Sequence, residues 1–152
     1  MGKPNQTVYF DDLAEGDTAP EFKIEKVIRS HIVRYAGASG DFNPIHHDDP
    51  LAQGLGNPGV FAMGMMSAGF LAHMLTDWLG VGNLRRFNVR FASRVWPGDS
   101  LTCSGRVVAK HKEGDDGLLD CELHVLNQDG EPVIIGKASA VLPIRNAQST
   151  DS

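Results

Sequence analysis

The chain has 152 residues, 41% of them apolar and 22% charged, with a formal net charge of −5. That size and composition fit one domain around one core, and the acidic balance argues against a nucleic-acid partner. Its two cysteines, Cys103 and Cys121, have neither metal-ligand nor disulfide spacing, so they are expected to be buried thiols of a reducing compartment.

Met1 to Asp12 is polar and lacks the apolar segment of a secretory signal. Phe22, Ile24, Val27 and Ile28 form a short strand-like run after Pro20. Ser30 is expected to cap a helix carrying Ile32, Val33 and Ala36, closed by Gly37 and Gly40. The Asn43-Pro44 step disfavours helix at Asn43, so Asp41 to His46 is expected to be a rigid, non-helical loop. His47 to Gln53 reads as one further helical turn, with His47, Asp48 and Asp49 on a solvated stretch. Leu55 to Gly59, with two glycines and Asn57-Pro58, is a loop.

Gly64 to Leu79 is the strongest helix. It is apolar nearly all round, which predicts a helix buried on every side, with His73 as a hydrogen-bonded core residue. The longest apolar stretch, Val60 to Leu75, is too short to span a bilayer, so no membrane partner is expected and the protein is placed in the cytoplasm. Strands follow at Arg86–Val95, Leu101–Lys110, Leu118–Leu126 and Pro132–Ile144, separated by short turns such as Pro97-Gly98-Asp99-Ser100. Consecutive strands with short turns imply an antiparallel sheet. One helix with such a sheet gives an α+β fold with the sheet wrapped around the helix. Residues 146–152 read as a disordered tail, which leaves residues 1–145 for the domain.

Asp41 and His46 carry the clearest chemistry. A carboxylate and an imidazole five residues apart on a stiff loop can share a water molecule, one taking its proton while the other delivers a proton elsewhere. Asn43 can orient either group, and Pro44 limits the loop's freedom. Gly-Asp-x-Asn-Pro is equally good turn chemistry. Gly64 starts the long helix, where unpaired N–H groups and the positive dipole end can polarise a carbonyl. A glycine required there only for packing is the competing reading. No metal-ligand spacing is found.

Tyr35-Ala36-Gly37-Ala38-Ser39-Gly40-Asp41-Phe42-Asn43-Pro44-Ile45-His46, followed by Ala52, resembles the signature of the MaoC-like (R)-specific enoyl-CoA hydratases and 3-hydroxyacyl dehydratases. Phe87-Asn88-Val89-Arg90-Phe91 and Val95-Trp96-Pro97-Gly98-Asp99 resemble that family's later strand and turn, so the likeness runs roughly from Gly16 to Leu142. It implies the hot-dog fold and a homodimer or heterodimer of hot-dog subunits. The implied reaction is reversible hydration of an acyl thioester carried on coenzyme A or acyl carrier protein, without metal or redox cofactor. Asp41 and His46 would be the catalytic pair, Asn43 their partner, and Gly64 the oxyanion-hole donor. The family commonly has His-Gly-Met where this chain has Met63-Gly64-Met65.

An acyl slot needs apolar walls, for which Leu55, Phe61, Met63, Met65, Met66 and Leu75 are candidates. Arg86, Arg90 and Arg94 alternate along one strand and are expected to share a face suited to the carrier's phosphates. Two competing functions are a hot-dog thioesterase working through Asp77 on the central helix, and a subunit of a heteromeric hydratase.

Overall fold

The computed structural model describes residues 7–145, and the expected tail at 146–152 lies outside them. After a short 3-10 turn at Phe10–Asp12, the chain forms β1 (Phe22–Ile24), α1 (Arg29–Ser39), α2 (Asp49–Gly54) and α3 (Gly64–Leu79). Four strands follow: β2 (Leu84–Phe91), β3 (Leu101–Glu113), β4 (Asp116–Leu126) and β5 (Pro132–Pro143). They form one antiparallel sheet in the order β1-β3-β4-β5-β2.

The sheet has one dry face because its strands alternate. Leu101, Cys103 and Val107 of β3, Leu119, Cys121, Leu123 and Val125 of β4, and Ala138, Ala140 and Leu142 of β5 point inward. They meet Leu71, Met74, Leu75 and Leu79 of α3 in a single core cluster. This is the expected α+β arrangement of a long helix against an antiparallel sheet. Among the described residues no helix is long and apolar enough to cross a membrane.

Several expectations are corrected. The sheet covers only one side of α3: Met66, Ser67, Ala68, Leu71, Met74, Leu75 and Leu79 are buried, whereas Met65, Gly69, His73 and Asp77 are exposed. His73 is therefore not a core residue; its imidazole pairs with Asp77 at 3.3 Å on the open side. Helix α1 begins before Ser30, with extended Ile28 as its N-cap. The Ile28 N–H donates to His31 Nδ1 at 3.4 Å, so an imidazole serves this helix start rather than the serine hydroxyl.

Strand β2 stops at Phe91, short of Val95. Beyond it the Val95 carbonyl accepts the Ala62 N–H at 2.8 Å, which takes that segment off the sheet and onto the loop before α3.

Candidate active site

Helix α1 ends at Gly40, whose φ of 73° is the left-handed conformation that favours glycine at a helix C-terminus. Its N–H donates to the Ala36 carbonyl at 2.9 Å, and the chain turns directly into Asp41. Side chains then fold the loop onto its own backbone. The Ser39 hydroxyl accepts the Asp41 N–H at 3.2 Å, Asp41 Oδ1 accepts the Asn43 N–H at 3.3 Å, and Asn43 Oδ1 accepts the Ile45 N–H at 3.2 Å. The last bond caps a 3-10 turn at Pro44–His46. The loop is thus stiff, as expected, but its second half is a helical turn: Pro44 disfavours helix at the residue before it, yet suits the first position of a new one. Asn43 acts on this turn through its side-chain oxygen and meets Asp41 only through its backbone N–H.

That turn swings His46 inward, to 8% exposure. Its Nδ1 lies 2.6 Å from the Phe61 carbonyl oxygen. A carbonyl only accepts, so Nδ1 carries the proton and the neutral ring presents a lone pair at Nε2. Nε2 faces Asp41 Oδ2 at 3.8 Å, too far for a good direct hydrogen bond and suited to a shared bridging molecule. Asp41 remains 43% exposed, so the pair opens to solvent on the carboxylate side.

The Phe61 carbonyl is held in place from both sides. Asp49 Oδ1 accepts the Val60 N–H at 3.0 Å, and Val95 O accepts the Ala62 N–H at 2.8 Å. Asp49 Oδ2 also bonds Arg29 Nη2 at 2.7 Å, tying α2, α1 and this loop together. The Val60 amide and the Arg29 guanidinium hold the Asp49 carboxyl below the usual carboxylate range. His47 and Asp48 are solvated as expected, but the stretch is also structural: Asp48 caps α2 by accepting the Leu51 N–H at 3.1 Å, and Asp49 braces the site. Sequence reasoning missed Asp49 and the Phe61 carbonyl. The Asp-Pro step at the start of α2 marks a helix start, but nothing in sequence spacing ties it to Val60.

The Phe61 ring meets His46 edge-on at 5.2 Å between centroids and Trp96 at 5.7 Å. Arg94 lies over the same ring, 5.1 Å from its centroid. Arg94 thus leaves the face expected for it. Arg86 and Arg90 do share a face, but their register partners Ser139 and Ile135 put it on the outer side of the sheet, away from α3. Arg86 there lines a groove with Asp120, Glu122 and Lys137.

Gly64 lies three residues past Phe61, at the first turn of α3. Met66 N–H bonds Met63 O at 3.1 Å, which leaves the Gly64 and Met65 N–H groups without an intrahelical acceptor at the positive helix end. A Cβ on Gly64 would lie 2.9 Å from the Phe91 ring, so a larger residue fits only if that half-exposed ring shifts. Met63 is buried and Met65 is 56% exposed, while Met66 and Leu75 are buried and Leu55 is 66% exposed. The Ser67 hydroxyl is buried with no hydrogen-bond partner among the described residues. Asp77 lies thirteen residues along α3 from Gly64, about 20 Å at the helical rise, and its partner is His73. Among the described residues no cluster of side chains could hold a metal ion.

Residues 13–120 match the MaoC like domain. An (R)-specific enoyl-CoA hydratase from Rhodospirillum rubrum is 32% identical over 139 residues, covering 90% of this chain and 93% of that protein. The fatty acid synthase subunit beta of Aspergillus oryzae is 32% identical over 121 residues, 69% of this chain, but the chain spans only 6% of its length. Among solved structures, one chain of the ChsH1-ChsH2 complex from Mycobacterium tuberculosis aligns with TM-score 0.73 and 26% identity, over 87% of this chain and 98% of that one. The unliganded R-hydratase PhaJ1 from Pseudomonas aeruginosa has TM-score 0.80 over 92% of this chain and 88% of that one. At 24% identity that likeness speaks for the fold alone, which is the hot-dog fold.

Proposed function

The chain belongs to the MaoC-like dehydratase family, and on that premise we propose that it reversibly hydrates trans-2-enoyl thioesters to (R)-3-hydroxyacyl thioesters. The observation that carries this reading is the orientation of His46, with Nδ1 on the Phe61 carbonyl and Nε2 turned to Asp41 at 3.8 Å. The name of the Rhodospirillum rubrum relative supports both the reaction and its (R) outcome.

In the proposed reaction a water molecule sits between Nε2 of His46 and Asp41 Oδ2. Nε2, the free lone pair, takes one proton from it, and Asp41 accepts a hydrogen bond from its other O–H. The water oxygen adds to C3. The C2–C3 π electrons move toward the thioester, and negative charge develops on the carbonyl oxygen. That oxygen lies at the Gly64 N–H, where the helix dipole and an unpaired donor stabilise it. C2 then takes the proton back from the pair on the same face, so the elements of one water are added. Dehydration is the same path reversed. The burial of His46 keeps bulk water from competing for its lone pair. Asn43 supports the pair by fixing the turn that aims His46.

The substrate is carried on coenzyme A or acyl carrier protein, with no metal or redox cofactor, and the protein acts in the cytoplasm. The Mycobacterium tuberculosis neighbour is a two-component complex, which supports a dimer of hot-dog subunits, with itself or with a second chain.

The test is hydration of crotonyl-CoA by the purified chain, followed by loss of the enoyl absorbance, with the 3-hydroxybutyryl product assigned by chiral separation. Turnover to the (R) product is expected. Release of free thiol without hydration would replace this reading with a thioesterase.

A further inference from the structure

Helices α1 and α3 enclose a groove of about 340 Å³, lined by His31, Arg34, Tyr35, Ala38, Met66 and Phe70. Its two ends differ chemically. Ala38 precedes Asp41 by three residues and Met66 follows Gly64 by two, so along both helices one end is the one nearer the segments that carry the Asp41–His46 pair and Gly64. The floor is apolar: Met66 is buried, Tyr35 and Phe70 are partly buried against the core, and the Phe70 ring rests on Phe22 at 6.4 Å.

The other end carries two hydrogen-bond donors. Arg34 is exposed and forms no ion pair among the described residues. His31 accepts the Ile28 N–H at Nδ1, 3.4 Å away, so the neutral ring carries its proton on Nε2 as a donor. No carboxylate lines the groove to neutralise these two groups. From Ala38 back to Arg34 along α1 is about 6 Å at the helical rise, the length of roughly five extended carbons, so with C1 to C3 at the reacting centre an eight-carbon chain ends beside Arg34.

We infer that this groove takes the acyl chain of the substrate, and that the chain ends in a carboxylate bound by Arg34 and by His31 Nε2–H. The substrate class is then the mono-thioester of a medium-chain dicarboxylic acid. A methyl end would leave the guanidinium without an anion, whereas a carboxylate meets it with charge-assisted bonds. The inference rests on the hydratase reading in taking the Asp41–His46 pair as the reacting centre.

Binding tests it without turnover. Octanoyl-CoA and the mono-CoA thioester of octanedioic acid are both saturated and differ only at the far end. Titration calorimetry with the full chain is expected to show the dioic thioester binding at least about tenfold more tightly, the scale of one hydrogen bond to a charged group. Arg34→Ala should erase that difference. Equal affinities, a preference for octanoyl-CoA, or a preference that survives both Arg34→Ala and His31→Ala would overturn the inference. Crotonyl-CoA is too short to reach Arg34 and separates the two readings. Turnover of crotonyl-CoA without a binding preference removes the groove's role alone. A binding preference without turnover of crotonyl-CoA removes the hydratase reading alone.

Discussion

His46 donates its Nδ1–H to the Phe61 carbonyl oxygen at 2.6 Å, and that bond determines which ring nitrogen faces Asp41. Everything proposed for the site depends on this pairing, because a general base must present a lone pair and not an N–H. His46→Ala and Asp41→Ala should each lower crotonyl-CoA hydration by about 10²–10⁴-fold. His46→Gln should not rescue it, since an amide can hydrogen-bond water but cannot take its proton. Circular dichroism of each variant checks that the fold survives.

Asp49 holds the segment that presents the Phe61 carbonyl, so its removal should act on His46 from a distance. Asp49→Ala is expected to lower kcat for crotonyl-CoA about tenfold, the scale of a small misplacement of a catalytic group, with KM little changed. An unchanged kcat would show that Val95 alone fixes the loop.

The same carboxylate links stability to pH. Its folded pKa lies below the ordinary value of 3.8 because the Val60 amide and Arg29 favour the charged form. A lowered folded pKa means the unfolded chain takes up the proton first, so this stabilisation is fully present above the unfolded value and is lost as pH falls through the folded one. Asp49→Asn should therefore lower Tm by a constant amount near neutral pH. The gap to the wild type should narrow below about pH 4. A gap that widens on acidification would contradict this.

Gly64 sits against Phe91, whose ring would have to move to admit a Cβ 2.9 Å away. Gly64→Ala should destabilise the protein by about 1–3 kcal/mol through overpacking and slow hydration, because the displaced backbone carries the oxyanion donor. Adding Phe91→Ala should recover part of the overpacking loss. Additive destabilisation in the double variant, read by denaturant unfolding, would show that the two residues do not press on each other.

Ser67 buries a hydroxyl with no partner among the described residues. Ser67→Ala removes a desolvated polar group and should raise stability by about 1 kcal/mol, a Tm rise of about 2–4 °C for a chain of this size. A fall in hydration activity at raised stability would mean that the hydroxyl contacts substrate.

Burial pushes the Cys103 thiol up to about 12 and the Cys121 thiol up to about 11, the nearby Asp120 charge adding to the latter. Neither is a thiolate at neutral pH, so iodoacetamide should modify neither in the native protein and both after denaturation. Labelling of the native protein would place a cysteine nearer solvent than this fold allows.

The sequence by itself determined the main elements and marked the Asp41–His46 loop as the place to look. Periodicity and bounding glycines marked Gly64–Leu79 as one helix, and the structure has it with those bounds. Alternation and turn residues marked the strands because each inward side chain is opposed by an outward one two atoms of backbone away, a local property. The Asp41–His46 loop was legible for the same reason: its Asx bonds and Pro44 act within a few residues.

Only the tertiary structure decided what those elements face. Apolar content suggested that α3 is buried all round, but a single sheet covers one side, so His73 and Asp77 are left in the open. The Phe61 carbonyl, which gives His46 its tautomer, is a backbone atom that any residue type would supply, and no sequence pattern can single it out. Asp49 bonds an amide eleven residues ahead and a guanidinium twenty behind. Such contacts depend on how α1, α2 and the loop before α3 pack together, and that packing is set by the whole core.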